Sequence, residues 1–192
     1  VTVRLEQKTY QLDGQTLLNI AFSAPTHLLG GFLPNTSCAQ RSVNPANTTI
    51  AFNTTSMVSL SQDAGDPAAL LEIDGITLSN AAGVYISAGE FHPLVSDDDG
   101  NISLTRSVIT AMTDKVTVNV PDGNLNLENV RFDHLTTPAA TQCAVEIELV
   151  SDSTLTAQGV TADLAASKDF CLTADTLENG HPVALLATGL FS

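Results

Sequence analysis

The chain has 192 residues, with 7 basic against 21 acidic side chains, a net charge of −14, 43% hydrophobic residues and no Trp. Phosphate backbones and anionic membrane surfaces repel so negative a chain, which argues against nucleic-acid binding. The apolar fraction is too high for a disordered chain, and no run of about 18 apolar residues marks a transmembrane helix. The length fits a single β-rich domain over residues 1–192. Ser, Thr and Asn fill the polar positions, and Thr in particular suits a pleated surface.

In chain order, residues 1–22 read as a hairpin. VTVRLEQ alternates, Asp13-Gly14 offers a type I′ turn, and QTLLNIAF returns. Residues 23–49 read as a long irregular segment. Pro25, Pro34 and Pro45 block ladder hydrogen bonds there, and Gly30-Gly31 punctuates it. Such a segment either covers a sheet edge or binds something. Strand-like runs fill the remainder. Val116, Val118 and Val120 alternate with Thr117 and Asn119, and Val145, Ile147 and Leu149 with Glu146 and Glu148. Period two with one polar face is the pattern of a half-buried antiparallel strand. Helix signals are confined to a short turn from Asp66-Pro67 through Leu71 and another over residues 160–168.

A loose repeat runs through the middle. Asp74-Gly75-Ile76-Thr77-Leu78 resembles Asp99-Gly100-Asn101-Ile102-Ser103-Leu104 and Asp122-Gly123-Asn124-Leu125-Asn126-Leu127, with a weaker copy at Asp152-Ser153-Thr154-Leu155-Thr156. Each is a turn followed by an alternating strand. The copies fit hairpin turns of an antiparallel, jelly-roll-like β-sandwich or, alternatively, corners of a β-solenoid-like stack. Their uneven spacing favours the sandwich.

Three cysteines occur without a CxxC pair, which argues against a zinc ribbon. One disulfide plus a free thiol is the simplest oxidised arrangement. Cys143 with Cys171 closes the shortest loop, leaving Cys38. Sequons begin at Asn35, Asn47, Asn53 and Asn101. Val1 opens directly into an alternating run, as in a chain after leader removal or trimming. Together with scarce Lys and a Ser/Thr/Asn-rich surface, this points to an extracellular or cell-surface protein.

The densest acidic cluster is Asp97-Asp98-Asp99-Gly100-Asn101. Ca²⁺ takes six to eight oxygen ligands and acidic turns supply them, so Asp97, Asp98, Asp99 and Asn101 form a candidate Ca²⁺ loop. An EF-hand is excluded, because Val95 and Arg106 would occupy its first and last ligand positions. The alternative is a solvated hairpin tip. His27, His92, His134 and His181 are scattered without HExxH spacing. No G-x-S-x-G elbow, GxGxxG or P-loop occurs. Catalytic and cofactor-binding residues are therefore not assigned.

Both ends are apolar and strand-like. Val1, Val3 and Leu5 at one end, and Val183, Leu185, Leu190 and Phe191 at the other, are candidate subunit contacts through strand addition. Heterologous pairing of this kind builds open filaments. The sequence is thus read as a non-enzymatic, homo-oligomeric or polymeric structural protein of a filament, sheath or surface coat. A secreted ligand- or carbohydrate-binding adhesion module, with or without Ca²⁺, is the alternative.

Overall fold

The computed structural model describes residues 1–12, 18–62, 69–88, 100–121, 123–136, 143–150, 153–164, 169–175 and 184–188. The alternating runs become short strands wound into coils, three strands to a coil. The first coil holds β1 (Thr2–Glu6), β2 (Thr9–Gln11) and β3 (Leu18–Phe22), and the next β4 (Thr26–Phe32), β5 (Thr49–Ala51) and β6 (Met57–Gln62). Then follow β7 (Ala69–Asp74), β8 (Thr77–Ser79) and β9 (Gly83–Ala88), and β10 (Gly100–Thr105), β11 (Val108–Thr110) and β12 (Val116–Val120). Next come β13 (Asn124–Glu128), β14 (Arg131–Leu135) and β15 (Cys143–Val150), and β16 (Thr154–Gln158), β17 (Thr161–Leu164) and β18 (Asp169–Asp175). β19 (Ala184–Thr188) begins a further coil.

Every third strand stacks, giving sheet A in the order β1-β4-β7-β10-β13-β16-β19, sheet B in the order β17-β14-β11-β8-β5-β2, and sheet C in the order β18-β15-β12-β9-β6-β3. All pairs between these strands are parallel. The fold is a β-solenoid, and the antiparallel sandwich is incorrect. Parallel sheets usually lie between layers of helices and lose their polar face. Here each sheet is closed by the other two, so one face points inward and the other to water. That arrangement yields the same alternation as an antiparallel sheet. Uneven spacing is absorbed at the corners, since Asn101 and Asn124 stack 23 residues apart and Asp74 and Thr105 stack 31 apart.

The hairpin over residues 1–22 is corrected on the same ground. β1 pairs with β4, β2 with β5 and β3 with β6, while Asp13 and Gly14 lie outside the described residues. The irregular segment at 23–49 is corrected in part. It contains β4, in which Thr26, Leu28, Gly30, Gly31 and Phe32 are buried, and a 3-10 turn at Pro45–Asn47. Residues 33–44 remain loop apart from a bridge between Phe32 and Arg41. Neither short helix forms among the described residues, since Ala69 to Leu71 belong to β7 and 161–164 form β17. No helix among them is long and apolar enough to cross a membrane.

Single left-handed residues turn the chain at two corners. Asp74, Thr105, Glu128 and Gln158 are in register at the end of sheet A, and the next residues, Gly75, Arg106, Asn129 and Gly159, have φ of 69°, 45°, 54° and 63°. Ser79, Thr110 and Asp133 are in register at the end of sheet B, followed by Asn80, Ala111 and His134 at 60°, 56° and 50°. Gly and Asn enter this region at least cost, which is why they recur.

The core is a set of inward columns. Leu28, Ile73, Leu104, Leu127 and Ala157 stack in sheet A, and Leu78, Ile109 and Phe132 in sheet B. Leu60, Ile86, Val118 and Ile147 stack in sheet C. All of these are buried.

Candidate functional site

The outer face of sheet B builds a groove. Thr49, Thr77, Val108 and Arg131 occupy the same position in β5, β8, β11 and β14, one per coil. Neighbouring strands lie about 4.8 Å apart, so these four residues make a regular ladder. The turn at residues 43–46 forms one wall, fixed by a hydrogen bond from Thr77 Oγ1 to the Pro45 carbonyl at 2.9 Å. Arg106 and Asn129, at the corner that precedes β11 and β14, also line it. The groove has a volume of about 630 Å³, and Ser107, Thr110 and Asn44 complete its polar lining.

Arg106 is placed by Asp74, a buried carboxylate at the end of β7. Arg106 Nε and one terminal amine donate to Asp74 at 2.9 and 2.5 Å, Thr105 Oγ1 donates at 2.7 Å, and Arg41 lies at 2.7 Å. Burial raises the Asp74 pKa, but the hydrogen bonds from Arg106, Thr105 and Arg41 outweigh it and hold the carboxyl below its ordinary value. The same bond to Asp74 raises the Arg106 pKa. Arg131, in β14, pairs with Asp133 at 3.1 Å.

Asp133, His134 and Asp163 bring ligand-type atoms within 4.8 Å of one another. His134 Nδ1 lies 2.9 Å from one oxygen of Asp133 and Arg131 lies 3.1 Å from the other, so both oxygens of that carboxylate already have partners. On sheet A, His27 Nδ1 meets Glu72 at 2.5 Å. On sheet C, Lys115 is bonded to Glu146, and Asn119 donates to Glu148 at 2.8 Å. Burial, and secondarily Glu148, raise the pKa of the neighbouring Tyr85.

The residues expected from sequence are dispersed. Asp97, Asp98, Asp99, His92, His181, Val183, Leu190 and Phe191 lie outside the described residues. Asn101 is the second residue of β10, and its side-chain oxygen accepts from Asn124 Nδ2 at 2.8 Å in a ladder on sheet A. Asn35 and Asn47 are exposed, and Asn53 is exposed while bonded to Gln11 and Asn80. Cys143 and Cys171 are joined in a disulfide between β15 and β18, and Cys38 is free. Val3 and Leu5 pack half-buried against the core, Val1 is exposed, and Leu185 lies in β19 opposite Leu155. The groove residues were not legible as a site. Their one signal is that Arg106 and Arg131 are two of only 7 basic residues.

Comparison with protein-family models, curated proteins and solved structures finds no match for the chain.

Proposed function

We propose that the chain is a non-enzymatic structural unit of an extracellular filament, sheath or surface coat, in which the edge strands β17, β18 and β19, one at the end of each sheet, pair with a second copy. The observation that carries this reading is the core column of sheet C. Leu60, Ile86, Val118 and Ile147 are buried, yet Leu172, next in the same column, is 42% exposed. An inward-facing leucine left open at the end of a stack favours a further coil laid over it.

The other end differs. Residues 33–44 fold back toward β1, where Cys38 Sγ comes within 4.0 Å of the Arg4 carbonyl and Gln7 Nε2 donates to the Ser42 carbonyl at 3.2 Å. Unlike ends favour heterologous contacts, which extend rather than close. The disulfide supports an oxidising compartment.

Light scattering and negative-stain electron microscopy over a range of concentrations test the proposal. The expected result is concentration-dependent rods that Leu172→Asp abolishes while the circular dichroism spectrum stays β-rich. A wild-type chain that remains monomeric at every concentration overturns it.

A further inference from the structure

The groove on sheet B supports a second role, independent of assembly. Among the described residues, its only charged lining side chains are Arg106 and Arg131, and no carboxylate lines it. In a chain with 21 acidic and 7 basic residues, this inverts the prevailing charge. Behind Arg106, the single carboxylate of Asp74 faces two guanidinium groups, Arg41 and Arg106, leaving that trio one positive charge in excess. The acidic groups that act on these arginines from neighbouring strands are Glu72, Glu128 and Asp133. Glu72 and Glu128 act on Arg106 through space, Asp133 pairs with Arg131 at 3.1 Å, and none of the three is among the described lining residues of the groove.

A guanidinium has five N–H donors in a planar fork that matches a carboxylate. Arg106 uses Nε and one amine on Asp74, which fixes its orientation and leaves other donors at the groove rim. Thr49 and Thr110 offer hydroxyls, Thr77 keeps only acceptor capacity because its proton goes to the Pro45 carbonyl, and Asn44 and Asn129 offer amides. These polar groups come from four successive coils, so they fit an extended, hydroxyl-rich polymer. A peptide fits poorly. β5, β8, β11 and β14 are all paired on both sides, so they offer no strand edge for augmentation, and among the described residues no aromatic side chain lines the groove.

We propose that this groove binds a carboxylate-bearing polysaccharide, its carboxylates on Arg106 and Arg131 and its hydroxyls against the Thr and Asn lining. Affinity electrophoresis of the full chain tests this, with alginate as the probe and dextran, dextran sulfate and polyglutamate as comparisons. Alginate is expected to retard the chain, and less so at high salt. Arg131→Ala is expected to weaken binding about tenfold, and Thr110→Val a few-fold, at unchanged melting temperature. The Arg131 side chain is 58% exposed, so its removal leaves the core intact. Leu172→Asp is expected to bind as wild type, which separates this role from assembly. Absent retardation by alginate, equal or tighter binding of dextran sulfate or polyglutamate, or wild-type affinity in Arg131→Ala would each overturn the proposal.

Discussion

Replacing Asp74 by Asn removes one charge at nearly constant shape. The wild-type carboxylate is 3% exposed and accepts from Thr105 Oγ1, from two nitrogens of Arg106 and from Arg41. An amide there accepts on one atom only and turns an NH₂ toward a guanidinium. Breaking a buried ion pair costs about 3–5 kcal/mol. Arg41 and Arg106 are 23% and 49% exposed and regain hydration, which reduces the expected loss to about 2–3 kcal/mol. For a chain of this size that is a fall of roughly 5–10 °C in melting temperature.

The pH dependence gives a sharper test. The native Asp74 pKa is below its ordinary value of 3.8. Its contribution is therefore fully present above the unfolded value and is lost as pH falls through the native one. The difference between wild type and Asp74→Asn should be constant near neutrality and shrink below about pH 4, as the wild-type carboxyl takes up its proton. Other carboxylates titrate in both proteins and largely cancel. Urea denaturation at pH 7, 5, 4 and 3 measures the difference. Equal stabilities at pH 7, or a gap that widens in acid, would refute the reasoning.

Two further outcomes follow from the coil geometry. The disulfide joins residues 28 apart, and closing such a loop is worth roughly 3–4 kcal/mol in the chain-entropy account. Reduction should lower the melting temperature by about 7–15 °C in differential scanning calorimetry, and a Cys143→Ser/Cys171→Ser variant should match the reduced protein. At the corners, Ala111 sits at φ 56° and Gly159 at 63°. Ala111→Gly relieves about 1–2 kcal/mol of left-handed strain against about 0.5–1 kcal/mol of added chain entropy, so its urea midpoint should rise slightly. Gly159→Ala should lower the midpoint, because its Cβ would stand 2.6 Å from Asn129 Oδ1.

The strands were legible and their partners were not. Alternation in residues such as Val116 to Val120 reports one buried face, and it is blind to whether the neighbour runs parallel or antiparallel. The better clue was the repeat. Gly100-Asn101-Ile102 and Gly123-Asn124-Leu125 lie one above the other in sheet A, and Ser153-Thr154-Leu155 continues the stack. The copy at Asp74-Gly75 misled, because it falls at the end of its sheet A strand and not at the start. It shares letters with the others but stands at a different corner. The groove was hidden for a related reason. Thr49, Thr77, Val108 and Arg131 have no common motif, and only the register of sheet B aligns them.

Arg106 joins the fold to the groove. Its corner position is filled by Gly75, Asn129 and Gly159 in other coils, and an arginine there bears a left-handed backbone, φ 45°, at a cost of about 1–2 kcal/mol. The two-point bond to Asp74 offsets that cost. Gly at this corner would turn the chain without strain, and Asp74 would still have Arg41 and Thr105. Turning the chain therefore does not require an arginine. What Arg106 adds is a fixed guanidinium at the rim of a groove whose described lining holds no carboxylate. A strained residue held by its surroundings beside a cleft is the arrangement in which strain accompanies binding, and it makes this corner the most informative one in the solenoid.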